Sequence, residues 1–262
     1  MNRLDGIFAG LRGAKKPGLV IYATSGDPSP ARSSEIFLAA AAGGADVVEI
    51  GVPFSDPTAD GAAIQLASQR ALGAGGGVAS ALADARALRA AHPGLGVILF
   101  GYANPFFQHP DAAAAMAEAG ADGLLCVDLP PEEDMDLGPA LRTRDLHSIR
   151  LIAPTSTDAR IALAGKSGGG FLYVVSVTGV TGGKSGKAAD LSKLVARIRR
   201  KSKLPIVIGF GIATPDDAVR LAEHADGIVV GSAVVRLVEE HGAKAPAHVE
   251  RFVASIRAAL RG

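Results

Sequence analysis

The chain has 262 residues, 48% of them hydrophobic and 20% charged, which is enough apolar material for a large core and far from a disordered composition. Its 27 basic and 26 acidic residues give a formal net charge of +1 with no long run of either sign, so a small molecule is a better partner than a nucleic acid or a membrane surface. The single cysteine, Cys126, excludes an internal disulfide, and its apolar run 124–127 points to a buried, inert thiol.

Residues 1–16 mix Arg3, Asp5, Arg12, Lys15 and Lys16 with isolated apolar residues, unlike the apolar core of a signal peptide. No apolar run reaches the roughly 20 residues of a membrane span. An N-terminal helix and a cytoplasmic location are therefore expected. Short β-branched runs then alternate with longer Ala/Leu/Arg stretches, the pattern of parallel strands joined by helices. Eight such runs occur: Leu19–Ala23, Asp46–Ile50, Val97–Phe100, Gly123–Val127, Ser148–Ile152, Phe171–Val175, Pro205–Ile208 and Asp226–Val230. Their starts lie 27, 51, 26, 25, 23, 34 and 21 residues apart, about one strand–helix unit each except after strands two and six. Three strands begin alike, at Gly43-Gly44-Ala45-Asp46, Ala119-Gly120-Ala121-Asp122 and Glu223-His224-Ala225-Asp226, each read as a helix stop and a tight turn.

An eight-stranded α/β barrel needs roughly 250 residues. The expectation is thus an α/β chain forming one (β/α)8 TIM-barrel domain over residues 1–262, with long loops after strands 2 and 6. An open doubly wound sheet would favour a glycine fingerprint after the first strand, and Thr24-Ser25-Gly26-Asp27-Pro28 is not one. In a barrel, chemistry belongs on the loops at the C-terminal ends of the strands.

Strand two runs into Glu49-Ile-Gly-Val-Pro-Phe-Ser-Asp56-Pro-Thr-Ala-Asp60-Gly61. A carboxylate in an apolar strand is costly unless used or paired. Glu49 is either an acid–base group in the barrel mouth or the partner of a neighbouring Arg or Lys. Asp56 and Asp60 also fit ordinary turn chemistry. After strand six, residues 176–187 are Gly-rich. Thr178–Ser185 resembles a P-loop, but its first Gly is missing and its helix is expected only from about Asp190. Strands seven and eight end in Gly209-Phe210-Gly211-Ile212 and Gly231-Ser232-Ala233, with 234–239 as a short helix, the make-up of a backbone phosphate site. The six histidines lack metal-ligand spacing, so no metal is expected. Tyr22, Phe100, Tyr102, Leu125, Ile152 and Tyr173 fall near strand ends, where they could line a pocket for a flat aromatic group.

These stretches together resemble the tryptophan synthase alpha subunit family from end to end. The resemblance rests on Glu49 to Gly61 with Ile64 and Gln65, on Gly26-Asp27-Pro28, Tyr102-Ala-Asn104-Pro105 and Asp128-Leu-Pro130-Pro131-Glu132-Glu133, and on Gly179-Val-Thr181-Gly182 and the two glycine-rich strand ends. It implies a carbon–carbon lyase of tryptophan biosynthesis that splits indole-3-glycerol phosphate into indole and glyceraldehyde 3-phosphate. Glu49 would protonate indole C3 and then shuttle the side-chain hydroxyl proton, Asp60 would serve the ring nitrogen, and Tyr173 would help hold the glycerol chain. Gly182, Gly211, Gly231 and Ser232 would hold the phosphate. Tyr22, Ile64, Phe100, Tyr102, Leu125, Thr181 and Phe210 would form the indole pocket and lid. The resemblance further implies no cofactor in this chain and a pyridoxal-phosphate beta subunit as partner in an α2β2 assembly, facing Pro53, Asp56, Asn104, Pro105 and Phe107. A stand-alone lyase and a catalytically silent regulatory subunit are the alternatives. Val177 stands where some members carry Arg, and Tyr22 where some carry Phe.

Overall fold

The computed structural model describes residues 2–175, 184–209 and 211–261, with the backbone alone for 184–189. Helix α1 (Arg3–Gly13) is followed by β1 (Gly18–Thr24), α2 (Pro30–Ala42), β2 (Val47–Gly51), α3 (Ala62–Gly73), α4 (Val78–Ala91) and β3 (Gly96–Gly101). Next come α5 (Ala103–Gln108), α6 (Ala112–Glu118), β4 (Gly123–Cys126), α7 (Leu137–Arg142), β5 (His147–Ile152), α8 (Asp158–Ser167) and β6 (Leu172–Val175). The chain continues through α9 (Lys184–Lys201), β7 (Ile206–Gly209), α10 (Pro215–Ala222), β8 (Gly227–Val230), α11 (Ser232–His241) and α12 (Ala245–Ala259).

The strands close in sequence order into a parallel barrel, β8 pairing with β1. All eight expected runs are strands, shifted at their ends by one residue or so. Alternation along each strand sorts side chains to two sides. Leu19, Ile21, Val48, Ile50, Val97 and Leu99 pack outward under the helices. Val20, Tyr22, Val47, Ile98, Leu125, Ile149, Tyr173, Val207 and Val229 fill the barrel. Glu49 shares the inward parity of Val47 and lies in register with Tyr22 and Ile98. Helix α1 plugs the N-terminal end, where Leu4 and Phe8 are buried and the Phe8 ring lies 5.4 Å from Phe171.

The recurring aspartate before strands 2, 4 and 8 is a staple. The carboxylates of Asp46, Asp122 and Asp226 each accept the backbone N–H of the neighbouring strand, from Leu19, Val97 and Ile206, at 2.8 Å. Their own N–H groups donate back to the same three residues' carbonyls. Arginines neutralise all three: Arg257 on Asp46, Arg89 and Arg3 on Asp122, and Arg199 on Asp226. In the first two turns Gly44 (φ +100°) and Gly120 (φ +78°) take the left-handed conformation that glycine tolerates. The third has no glycine and leaves its helix through Glu223 in right-handed geometry.

The extra length after β2 divides between loop 52–61 and a whole added helix, α3. Helix α9 begins at Lys184 rather than near Asp190, because the Lys-, Ala- and Leu-rich run 187–194 favours helix and a single Gly186 near the start costs little. Helix onset therefore does not separate this segment from a P-loop; the missing first glycine does. Among the described residues no helix is long and apolar enough to cross a membrane.

Candidate active site

The C-terminal mouth of the barrel holds a cavity of about 530 Å³. Its walls include Tyr22, Glu49, Asp60, Ile64, Phe100, Tyr173, Gly211, Gly231 and Ser232, nine of the expected site residues.

Glu49 decides between the two readings its sequence position allowed. It is 0% exposed, and among the described residues neither carboxyl oxygen has a hydrogen-bond partner. No Arg or Lys among the described residues neutralises it, and burial pushes its pKa up to about 8. It therefore carries a proton at neutral pH, aimed into the cavity.

Asp60 sits on the loop between β2 and α3, and Tyr102 gathers that loop. The Tyr102 hydroxyl donates to Asp60 Oδ2 at 3.1 Å and accepts from the Ala59 N–H at 2.9 Å, while its ring stacks on Phe54. Gln65 donates to the Asp60 carbonyl at 2.8 Å. Partial burial pushes the Asp60 pKa up to about 6, against the Tyr102 hydrogen bond that lowers it. Near neutrality Asp60 is thus charged beside a protonated Glu49, two carboxyls separated in role by their surroundings. Asp56, on the same loop, is exposed and its carbonyl merely closes a turn with the Thr58 N–H.

Two glycines that read as loop material make room for tyrosines. A Cβ at Gly209 would strike the Tyr173 hydroxyl, and one at Gly51 would strike the Tyr22 hydroxyl. Burial first, then nearby carboxylates, raises the pKa of both phenols, so both stay protonated donors. The Tyr22 ring meets Phe100 edge-on at 5.1 Å, making one apolar wall.

At the far side, α11 starts at Ser232 directly after Gly231, earlier than the short helix expected from 234. Its N-cap, Gly231, has no side chain to cap it, and among the described residues its first N–H groups are left to the cavity. Gly211 (φ +74°) needs the left-handed region. Arg236, one turn beyond Ser232, also lines the cavity and is the sole cation among the described lining residues. Sequence reasoning missed it, although its i+4 spacing from Ser232 on a helix was readable.

Other expectations shift. Tyr102 braces Asp60 instead of lining the cavity, and Leu125 is fully buried in the barrel interior below it. Cys126 is half-buried, near Asp128, and its thiol pKa is raised by burial, in keeping with an inert group. Thr181, Gly182 and Phe210 lie outside the described residues. Among the described residues no cluster of three His, Cys, Asp or Glu could hold a metal ion.

A model of the family described as tryptophan synthase alpha chain matches residues 8–261. The chain is 47% identical over 263 residues to the tryptophan synthase alpha chain of Rhizorhabdus wittichii, covering 100% of this chain and 97% of that one. The crystal structure of tryptophan synthase subunit alpha from Legionella pneumophila superposes with a TM-score of 0.92 at 35% identity, covering 100% and 99% of the two chains. Tryptophan synthase from M. tuberculosis in an aminoacrylate-bound form superposes at 0.90 with 30% identity, covering 100% of both.

Proposed function

The chain belongs to the tryptophan synthase alpha chain family, and from that premise we propose how its own residues carry out the lyase reaction, cleavage of indole-3-glycerol phosphate to indole and glyceraldehyde 3-phosphate. The observation that carries the reading is Glu49, buried, without a hydrogen-bond partner among the described residues and with its pKa raised to about 8, in a cavity it shares with Asp60.

Breaking the bond between indole C3 and the glycerol chain requires C3 to become a leaving group. The protonated Glu49 gives its proton to C3 while the Asp60 carboxylate takes the N1 proton, yielding an indolenine. Glu49, now a carboxylate, removes the proton of the adjacent glycerol hydroxyl. That oxygen's electrons form the aldehyde C=O, the carbon–carbon bond breaks, and its pair restores the C2=C3 double bond as Asp60 returns the proton to N1. Indole and the aldehyde leave with Glu49 protonated again, ready for the next turnover. Each proton transfer from a positioned group contributes roughly 10²- to 10⁴-fold.

Tyr22 and Phe100 offer the flat apolar wall that the indole ring needs, and Tyr173 offers a hydroxyl to the glycerol chain. The open N–H groups at Gly231 and Ser232, with Gly211 and the Arg236 guanidinium, suit the phosphate. Gly182 and Thr181 complete the phosphate site and lid by resemblance. The barrel closing on itself with α1 and α12 packed against it supports one domain for the whole chain.

Membership of the family implies a beta-subunit partner, and an α2β2 assembly passing indole to a pyridoxal-phosphate site is the finer reading. Asp56, Asn104 and Phe107 are exposed at the mouth and free to meet that partner. Pro53, on the same loop as Asp56, is mostly buried in the chain alone.

Indole release from indole-3-glycerol phosphate, measured with and without a beta subunit, tests this. The expected result is slow release by the chain alone and strong activation by the partner. No release under either condition contradicts the catalytic reading, and fast partner-independent release favours a stand-alone lyase.

A further inference from the structure

Arg70 lies on α3, outside the cavity wall, and the chemistry above makes no use of it. Its guanidinium is nevertheless shared among three segments that meet at the mouth. Nε donates to Asp27 Oδ1 at 3.0 Å and Nη2 to Asp27 Oδ2 at 2.8 Å, a two-pronged grip on a carboxylate only 3% exposed in the loop after β1. The remaining Nη1 donates to Glu239 Oε1 on α11 at 3.0 Å.

The two helices so joined carry opposite ends of the site. Helix α3 starts just after Asp60, and Ala62, Ala63 and Ile64 line the cavity; α11 starts at Ser232, which lines it beside Gly231. The buried face of α3 offers Ala67, Ser68 and Ala71, small side chains that give its packing little direction. The forked guanidinium is the directional contact between α3, the β1 loop and α11. We propose that Arg70 is a positioning residue: it fixes the spacing between the Asp60 loop and the phosphate-end helix, so that a ligand spanning both ends meets each at once.

The inference rests on the proposed cleavage of indole-3-glycerol phosphate, whose phosphate and ring reach opposite ends. Inorganic phosphate reaches only the α11 end and indole only the ring wall, so neither senses the spacing. Arg70→Lys keeps the charge and loses the fork, whereas Glu239→Gln, at a half-exposed position, removes the charge from the tie to α11, leaving a weaker neutral acceptor, and keeps the Asp27 grip intact. Because an angstrom of misplacement can cost up to about 10²-fold, Arg70→Lys is expected to raise KM for indole-3-glycerol phosphate about tenfold and to lower kcat several-fold. Glu239→Gln, which breaks an exposed pair, should raise KM by about threefold. Dissociation constants for inorganic phosphate and for indole should match wild type in both variants.

Unchanged KM and kcat with only a lowered melting temperature would make Arg70 a purely structural tie and overturn the proposal. Equal weakening of phosphate alone would overturn it too, since that is damage to one end and not misalignment between two. Should Arg70→Lys not fold, Glu239→Gln decides the question. A wild-type chain that releases no indole either alone or with a beta subunit overturns the proposed function itself, whereas active wild type with unaltered variants overturns only the role of Arg70.

Discussion

At the N-terminal end of the barrel Asp122 is buried with arginines 3 and 89 and a backbone N–H on its oxygens; at the C-terminal end Glu49 is equally buried, with none of the described residues hydrogen-bonded to either oxygen. Both are carboxyls at the ends of apolar strands. The first is fully satisfied and can only hold strands together. The second is left costly, and its cost is a proton affinity shifted into the range where it can do work. Asp46 and Asp226 follow the lower pattern, and Asp60, tempered by one phenol, stands between the two.

The sharpest way to break this contrast is to neutralise the upper acid. Glu49→Gln should cut indole release by about 10²- to 10⁴-fold, and it should also stabilise the fold. The sign follows from linkage: the Glu49 pKa is near 4.5 unfolded and about 8 folded, so the folded state holds its proton more tightly. Stability linked to that proton is full below pH about 4.5 and is lost as pH rises through about 8. The advantage of Gln over Glu in thermal unfolding should therefore grow across this window. A variant both inactive and less stable at pH 8 would mean that Glu49 has a partner.

The lower end should answer with the opposite sign. Asp122→Ala leaves Arg89 partly buried beside an unpaired strand N–H, and should lower stability by about 3 kcal/mol in denaturant unfolding. Activity per folded molecule should stay within about twofold of wild type, since conservative damage at that face is a matter of stability. A large kcat loss without a stability loss would blur the division between the ends.

A smaller effect sharpens the upper end further. Gly209→Ala must push the Tyr173 ring off its seat, and about tenfold lower kcat/KM is expected with the acids untouched. Wild-type kcat/KM would show that Tyr173 does not hold the reacting chain.

Much of this was legible in the chain order of residues. The eight β-branched runs and their spacing follow from period and length, the barrel was favoured over an open sheet because no glycine fingerprint follows strand one, and Glu49 stood out as a charge in an apolar strand. What was not legible depends on contacts distant in sequence. Whether Glu49 is paired cannot be read from strand two, because its neighbours come from β1 and β3. The repeated aspartates looked like turn residues until Arg3, Arg89, Arg199 and Arg257, from remote helices, were found on them. Gly209 read as a phosphate-loop glycine because the Tyr173 hydroxyl it admits comes from the neighbouring strand. Tyr102 read as a pocket wall for the same reason: its target, Asp60, is 42 positions away.

The contrast between the two ends rests on the proton of Glu49. Carbon-13 NMR of glutamate side-chain carboxyls in the ligand-free chain, with the Glu49 signal assigned by its loss in Glu49→Gln, measures it directly. Titration of that signal at about pH 8 is the predicted result; titration near pH 4.5, the ordinary range of a solvated or paired glutamate, would contradict it.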